Sequence, residues 1–231
     1  GTILHTTDGG LHWTSQPSGT SSELYDVWFL NSSYGWAVGE QGTILRTLNG
    51  GPTWHRPSSG TDKDLRAIFF VNTDEGWAVG ADGTILYSPS GGASWTPQVS
   101  STTLDLYDVS FGSGSRGWVV GDHGTVLRTS DGGITWSPQD SGSILTLRGV
   151  RFLNAQMGWI VGHWGTFLRT LNGGATWEST VVGPSNPLYD IHFTSRSVGW
   201  GVGRRGTIVH TTDGGETWAA QDSGTDAHLY G

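Results

Sequence analysis

A repeat of 41 residues constrains the fold of this chain more than any other feature. The dipeptide Gly-Thr opens an apolar run at regular intervals, at Gly1, Gly42, Gly83, Gly124, Gly165 and Gly206. A Gly-Trp dipeptide recurs in step, placing Trp36, Trp77, Trp118, Trp159 and Trp200 41 residues apart, and a second column holds Trp13, Trp54, Trp95, Trp136, Trp177 and Trp218. A spacing that never varies indicates one supersecondary unit used throughout.

Each period is predicted to contain four short strands. Residues 24–29 alternate and are rich in aromatic side chains, and turn residues separate them from two further apolar runs at 36–39 and 43–47. A last short strand is expected between Trp54 and Pro57. Because no segment shows helical spacing, the sequence predicts an all-β fold, a β-propeller of four-stranded antiparallel blades. Both Trp columns are interpreted as core residues that fill the wedge between blades.

The period also predicts where the blades lie. Five complete blades are expected at about 22–57, 63–98, 104–139, 145–180 and 186–221 of a single propeller domain, with 1–16 and 225–231 contributing to an incomplete one. Five periods leave 26 residues, too few for a further unit. A sheet lacking its second strand would have unpaired edges, so we expect a stretch of a longer chain with a six- or seven-bladed ring.

A polar turn motif precedes each residue of the second Trp column. Residues 6–13 have the form Ser/Thr-x-Asp-x-Gly-x-Thr-Trp, called an Asp-box, and its acidic position is occupied in turn by Asp8, Asn49, Ser90, Asp131, Asn172 and Asp213. Three of these six residues keep an acceptor oxygen but carry no carboxylate. Capping a turn requires only the oxygen, whereas calcium requires charge, so the motif is predicted to be structural and no metal or cofactor is expected.

Asp-boxes combined with the run from Gly35 to Thr47 closely resemble the propellers related to the photosystem II stability and assembly factor. The resemblance covers essentially the whole chain. It implies a non-catalytic propeller scaffold that binds another protein or peptide. It also implies a location outside the cytoplasm, in the periplasm, in a lumen or as a secreted protein. The photosynthetic member binds a reaction-centre subunit and has a functional arginine patch. The eleven arginines here are spread over the whole period, so that patch does not transfer as a set.

Composition excludes several other classes. The net charge of -8 disfavours nucleic acid as a partner, and no apolar run approaches the length that crosses a bilayer, so membrane insertion is not expected. The absence of cysteine removes disulfides, thiolate metal sites and cysteine catalysis.

Positions that differ between repeats are where specific function is expected. The turn between the second and third strands changes from acidic to basic along the chain, and its later copies supply a candidate partner surface: His123, His163, Trp164, Arg204 and Arg205. Trp164 is the only Trp placed at a turn, and exposed Trp residues are frequent anchors in interfaces. The alternative is that these are ordinary solvated turn residues and that Trp164 folds over the rim.

Two strand positions also vary. In the first strand, Arg151 and His192 replace apolar residues, so they either pair with Asp26, Asp108 or Asp190 or face a ligand. In the third strand, a column of long side chains is expected to lie over the blade surface with polar ends in water. That column holds His5, Arg46, Tyr87, Arg128, Arg169 and His210.

Two other functions stay open. A carbohydrate-binding lectin would show an exposed aromatic residue repeated at one turn, and Trp164 does not recur. A sialidase or glucanase would also carry Asp-boxes, but a sialidase needs an arginine cluster and a Tyr activated by Glu. Tyr87 belongs to the third-strand column, and four other Tyr residues share one repeat position: Tyr25, Tyr107, Tyr189 and Tyr230. Only Tyr34 stands outside these columns, and no Glu is close to it in sequence. Protein or peptide binding is therefore the preferred prediction, with a glycan as the alternative ligand.

Overall fold

The computed structural model describes residues 1–182 and 185–231, and the fold is all-β, of the β-propeller type. Its elements are short antiparallel strands joined by tight turns. The chain forms two compact units, residues 1–99 and 100–231, and each is described by itself.

The first unit contains a two-stranded sheet and two blades. Strands β1 (Ile3–His5) and β2 (Thr14–Gln16) pair with each other. The first blade consists of β3 (Leu24–Phe29), β4 (Gly35–Gly39) and β5 (Thr43–Thr47), and the second of β6 (Leu65–Phe70), β7 (Gly76–Gly80), β8 (Ile85–Ser88) and β9 (Thr96–Gln98).

The second unit contains three four-stranded blades. The third blade comprises β10 (Leu106–Phe111), β11 (Gly117–Gly121), β12 (Val126–Thr129) and β13 (Ser137–Gln139). The fourth comprises β14 (Leu147–Phe152), β15 (Gly158–Gly162), β16 (Thr166–Thr170) and β17 (Glu178–Val181). The fifth comprises β18 (Leu188–Phe193), β19 (Gly199–Gly203), β20 (Ile208–Thr211) and β21 (Ala219–Gln221). In each blade, strands adjacent in sequence are neighbours in the sheet.

The first blade differs from the expected four strands. Its fourth segment makes only one bridge, in which Arg46 and His55 exchange both backbone hydrogen bonds at 2.8 Å. The next residue of that segment to face β5 is Pro57, which occupies the position of Gln98 and Gln139 in the following blades. Proline has no N–H to donate, so the ladder ends after one pair and no strand forms.

Stacked aromatic rings join successive blades. Trp36 stacks on Phe70 of the next blade, with ring centroids 3.6 Å apart and planes 6° from parallel. Trp118 stacks on Phe152 at 3.5 Å in the same way, and Trp159 stacks on Phe193 at 3.6 Å. These three Trp side chains have no exposed surface, so the prediction that this column forms core is confirmed for them.

The glycine before each of these Trp residues makes the stack possible. Gly158 pairs with Phe152 across the first two strands of the fourth blade, and the Phe152 ring lies over it. A Cβ atom at Gly158 would come within 2.5 Å of that ring. The Phe ring therefore has glycine on one side and, in the second, fourth and fifth blades, the Trp of the preceding blade on the other.

Substituting Trp159 tests how much this stacking contributes. The Trp159 indole Nε1 also donates a 2.9 Å hydrogen bond to the Gly214 carbonyl. Trp159→Ala leaves a large cavity between blades, so we expect the free energy of unfolding in urea to fall by about 3–5 kcal/mol. Trp200→Ala is the matched control, because Trp200 has the same repeat position but is only half-buried, and its loss should be clearly smaller. Equal losses would contradict this account.

Candidate functional site

The turn between the second and third strands has an unusual backbone in all five blades. The first central residue is never glycine, yet its φ lies between 51° and 56°. The glycine that follows it also has positive φ. The first central residues are Gln41, Asp82, His123, Trp164 and Arg205. Two positive φ angles define the type I′ turn, which twists in the same sense as the strands it joins. Asn, Asp and Gly are the residues that favour this geometry.

Among these turn residues, Trp164 has the side chain least suited to the turn conformation. Its φ is 56° and its ψ is 31°, a conformation that is a genuine outlier for a bulky side chain. The indole is 66% exposed, so packing in the described chain does not compensate for that backbone cost. The expectation that Trp164 lies at an exposed turn agrees with the structure, and the strain adds a reason to suspect a role outside folding.

The turns of the second unit carry aromatic and basic side chains. His123, Arg204 and Arg205 are exposed and His163 is half-buried. In the first unit, the corresponding turns carry Glu40, Gln41 and Asp82, and Lys63 forms a 2.7 Å ion pair with Asp82. Only the turns of the second unit therefore offer cationic and aromatic groups together.

The linkers between blades hold these turns together within the second unit. The His163 N–H donates to the Thr146 carbonyl at 2.9 Å, and the Gly124 N–H donates to the Leu145 carbonyl at 2.9 Å, so one linker binds two successive turns. The same two kinds of contact occur for the following pair, since the Val182 N–H donates to the Gly165 carbonyl at 2.9 Å and the Arg204 N–H donates to the Pro187 carbonyl at 2.9 Å. The predicted candidates of three adjacent blades are thus connected through backbone contacts.

A second set of functional candidates lies beside the turns and was missed from the sequence. Each first strand has a bulge directly after its first residue, and the bulged residue is Tyr25, Arg66, Tyr107, Arg148 or Tyr189. Bulges redirect side chains and often occur next to functional sites. The alternation of Tyr and Arg in this column was visible in the sequence and would have identified it.

Arg148 is the centre of a polar cluster in this column. Its guanidinium carbon lies 3.8 Å from the centroid of the Tyr107 ring, a cation–π contact, and its Nε lies 3.4 Å from Nε2 of His163. The Tyr107 hydroxyl donates to Asp122 at 3.2 Å, and the Thr146 hydroxyl donates to the same carboxylate at 2.8 Å. The cluster holds a planar cation in a fixed orientation at the turn end of the third and fourth blades.

The electrostatics of His163 follow from this cluster. Burial lowers the pKa of His163 below its ordinary value, and the Arg148 guanidinium lowers that pKa further, while Asp122 opposes both effects. The ring is therefore neutral at pH 7, which allows Nε2 to accept the hydrogen bond from Arg148 Nε.

An aromatic group extends the same end of the fifth blade. Tyr189 and Tyr230 stack with centroids 5.0 Å apart and planes 11° from parallel, and the His228 ring lies 6.1 Å from both. The Arg205 N–H donates to His228 Nδ1 at 3.2 Å, which fixes this group against the last turn.

Arg151 and His192 lie away from this cluster, on the first strands. Burial lowers the pKa of Arg151, and the Asp108 and Asp190 carboxylates oppose that shift, so both act as electrostatic partners. Asp108 is nevertheless engaged by backbone, since it accepts hydrogen bonds from the Val109 and Val150 N–H groups at 2.7 Å. Its first role is to link adjacent blades, and Asp26 does the same in the first unit by accepting from Ile68 at 2.8 Å.

His192 is exposed, and partial burial of its ring together with Arg151 lowers its pKa. Burial raises the pKa of Asp190, while the Ile191 N–H and Arg151 act in the opposite direction.

The Asp-box residues make turn-stabilising hydrogen bonds. In the third blade, Asp131 accepts from the Thr135 N–H at 2.9 Å, from its hydroxyl at 2.6 Å and from the Thr129 hydroxyl at 2.7 Å. Asn172 accepts from the Thr176 N–H at 3.0 Å and donates its amide to the hydroxyl at 2.8 Å. Asp8, Asn49, Ser90 and Asp213 also accept from the backbone N–H four residues later.

Two further observations concern metals and membranes. Nowhere in residues 1–182 and 185–231 do three or more His, Asp or Glu side chains converge as they would around an ion. Over the same residues, no helix has the length and apolar character needed to cross a membrane.

Sequence comparison decides the family. The family model of the photosynthesis system II assembly factor YCF48 matches residues 11–104, 97–187 and 182–229. The chain belongs to this family. The resemblance based on the Asp-box and Gly-Trp motifs is therefore confirmed. No curated protein sequence matches the chain.

Several solved structures share the fold. YCF48 bound to a D1 peptide is 19% identical with a TM-score of 0.62, covering 89% of this chain and 82% of its own. YCF48 from Cyanidioschyzon merolae is 20% identical with a TM-score of 0.73, covering 94% and 78%. A streptogramin B lyase is 13% identical with a TM-score of 0.80, covering 96% and 76%. At these identities the likeness shows the fold alone, which binding proteins and enzymes share.

Converting one Asp-box to the amide form tests its structural role. Hydrogen bonds from Thr135 and Thr129 lower the pKa of Asp131 from 3.8 to about 2. Because the folded-state pKa is depressed, the charge stabilises the fold above about pH 4 and this contribution is lost as pH falls towards 2. Asp131→Asn should retain the fold, as Asn172 shows, and the stability gap between wild type and variant should narrow over that range in urea titrations. If the difference in stability between wild type and variant does not change with pH, the charge of Asp131 does not stabilise the fold.

Proposed function

We propose that this chain is a non-catalytic scaffold that binds another protein or peptide through the turn end of its second unit. The observation that carries this proposal is Trp164, an exposed indole held in a strained backbone conformation. A fold gains nothing from Trp at this position, since Asn or Asp would form the same turn with less strain. A binding role explains the residue, because Trp is enriched among the residues that contribute most of the binding energy in protein interfaces.

The neighbouring groups define the chemistry of the partner. Arg148 is fixed by Tyr107 and His163, so little side-chain entropy is lost when its guanidinium binds a ligand. Arg204 and Arg205 are exposed on the next turn. A guanidinium pairs best with carboxylates, so we propose an extended or flexible segment that contains an apolar residue for Trp164 and acidic groups for the arginines.

Family membership supports a peptide partner. A related structure is of YCF48 bound to a D1 peptide, and the family is described as an assembly factor. By analogy, we propose assembly of a larger protein complex as the role of this chain. A location outside the cytoplasm is part of the same proposal and depends on the family resemblance.

The proposed surface combines predicted and unpredicted residues. His123, His163, Trp164, Arg204 and Arg205 come from the variable turns, and Tyr107, Arg148 and Tyr189 come from the bulges beside them. Arg151 and His192 are not included, because Arg151 is coupled to Asp108 and Asp190 within the first strands.

Replacing Trp164 by Asn separates binding from folding. Asn-Gly is the preferred pair for a type I′ turn, so Trp164→Asn should leave the melting temperature unchanged or raise stability by up to about 1 kcal/mol. Affinity for linear peptides of about twelve residues, selected on the wild-type protein by display, should fall at least about tenfold in fluorescence anisotropy, because an interface anchor is lost.

Gln41→Asn is the matched control, since Gln41 occupies the same turn position in the first blade and is exposed. It should change neither the peptide affinity nor the fold. If the selected peptides bind both variants with unchanged affinity, Trp164 is not part of the interface. Multivalent binding on a glycan array, with no peptide selected, would instead favour the lectin alternative.

A further inference from the structure

The fourth strand of each blade is its outer strand in the sheet, and its backbone groups face alternately towards and away from the blade. The orientation is fixed by His55, which exchanges both backbone hydrogen bonds with Arg46 of the third strand. The next residue, Arg56, therefore directs its N–H and C=O groups outwards. The 41-residue repeat transfers this assignment to every blade.

Three prolines agree with the assignment. Pro57 lies at an inward position, and the first blade has no fourth strand. Pro97 and Pro138 lie at outward positions, where no ladder donor is lost, and both remain within regular strands β9 and β13. An outward proline is thus compatible with the fold, whereas an inward one ends the ladder.

Most of the outer edges are protected against pairing with another strand. Proline and charged residues at outward positions are the usual means of blocking an edge. At the two successive outward positions, the repeats carry Ser15 with Pro17, Arg56 with Ser58, Pro97 with Val99, Pro138 with Asp140, Ser179 with Val181, and Ala220 with Asp222. Among these pairs, only Ser179 with Val181 contains neither proline nor charge.

Strand β17 also differs from the other fourth strands in length. It has four residues, whereas β2, β9, β13 and β21 have three, and all four of its residues are exposed. Val181 is 68% exposed. This strand therefore presents two consecutive outward residues, each with an N–H and a C=O group directed away from the sheet.

We propose that the edge of β17 binds an extended segment of a partner protein as a fifth strand of the fourth blade. Ser179 and Val181 would each donate and accept one main-chain hydrogen bond. Only another extended backbone matches donors and acceptors at this spacing, which identifies the occupant as a polypeptide strand.

Charge specifies the segment further. Arg169 lies between two carboxylates, 2.8 Å from Glu178 and 3.4 Å from Glu216. One guanidinium shared by two exposed carboxylates leaves a net negative charge at the start of β17. The segment is therefore basic, in contrast to the acidic segment proposed for the turn end, so the two surfaces take different partners.

The test uses the whole chain and two proline variants. Linear peptides of about twelve residues that contain Lys or Arg are selected by display on the wild-type protein and counter-selected on Ser179→Pro. Their affinity, measured by fluorescence anisotropy, should fall at least about tenfold in Ser179→Pro and should weaken as salt is raised. Ala220→Pro is the matched control, because it alters the same repeat position in β21, and affinity should stay within about twofold.

Both variants should melt at the wild-type temperature, since Pro97 and Pro138 occupy this position in the native fold. Hydrogen exchange on the wild-type protein gives a second readout that needs no variant. The Ser179 and Val181 amides should exchange rapidly in the free protein and become protected in the peptide complex. Peptides that bind both proteins equally, complexes without this protection, or a selection that yields no discriminating peptide would overturn the proposal.

Two other outcomes separate this surface from its alternatives. If the basic peptides from this selection are weakened by Trp164→Asn and not by Ser179→Pro, they bind the turn end, and the β17 site is refuted. Concentration-dependent dimers in sedimentation that are lost in Ser179→Pro would show that a second copy of this chain occupies the edge, and would overturn the assignment of a different partner.

Discussion

Stacking of a Trp ring on the Phe of the next blade is the interaction on which the rest of the architecture depends. In the described pairs the two rings lie 3.5 to 3.6 Å apart and nearly parallel, and the Trp side chains are fully buried. Each Phe ring in turn covers the glycine that precedes the Trp of its own blade. In each of these pairs, the blade that carries the Trp depends on the next blade for the burial of its largest side chain.

This repetition leaves few positions free to specialise. The turn between the second and third strands and the bulge in the first strand both lie outside the stacked core. In the second unit they bring together Trp164, the Arg148 cluster and two exposed arginines. Linker backbone binds the turns, so the variable side chains project from a rigid scaffold. Rigidity of this kind lowers the entropic cost of binding, which suits a protein that recognises flexible segments.

In the fourth strand of a blade, residues alternate between facing the sheet and facing outwards, and this alternation decides what a proline does. One proline at an inward position removes a strand, while prolines at outward positions leave the strand intact and block its edge. Strand β17 has neither feature. Each 41-residue period thus contains blade faces that pack, a turn end whose residues vary and an outer strand edge that is protected in most copies.

The sequence predicted the fold class, because it follows from periodic spacing, and it placed Trp164 at a turn. Tertiary structure was required for the rest. The cation–π contact of Arg148 with Tyr107, the hydrogen bond from Thr146 to Asp122 and the engagement of Asp108 by the Val150 N–H all join residues from different blades, and sequence spacing does not encode such distances. The loss of the fourth strand at Pro57 was likewise decided by which backbone groups face the sheet. Repetition fixes what neighbouring units share, and only packing determines which of the differing side chains meet.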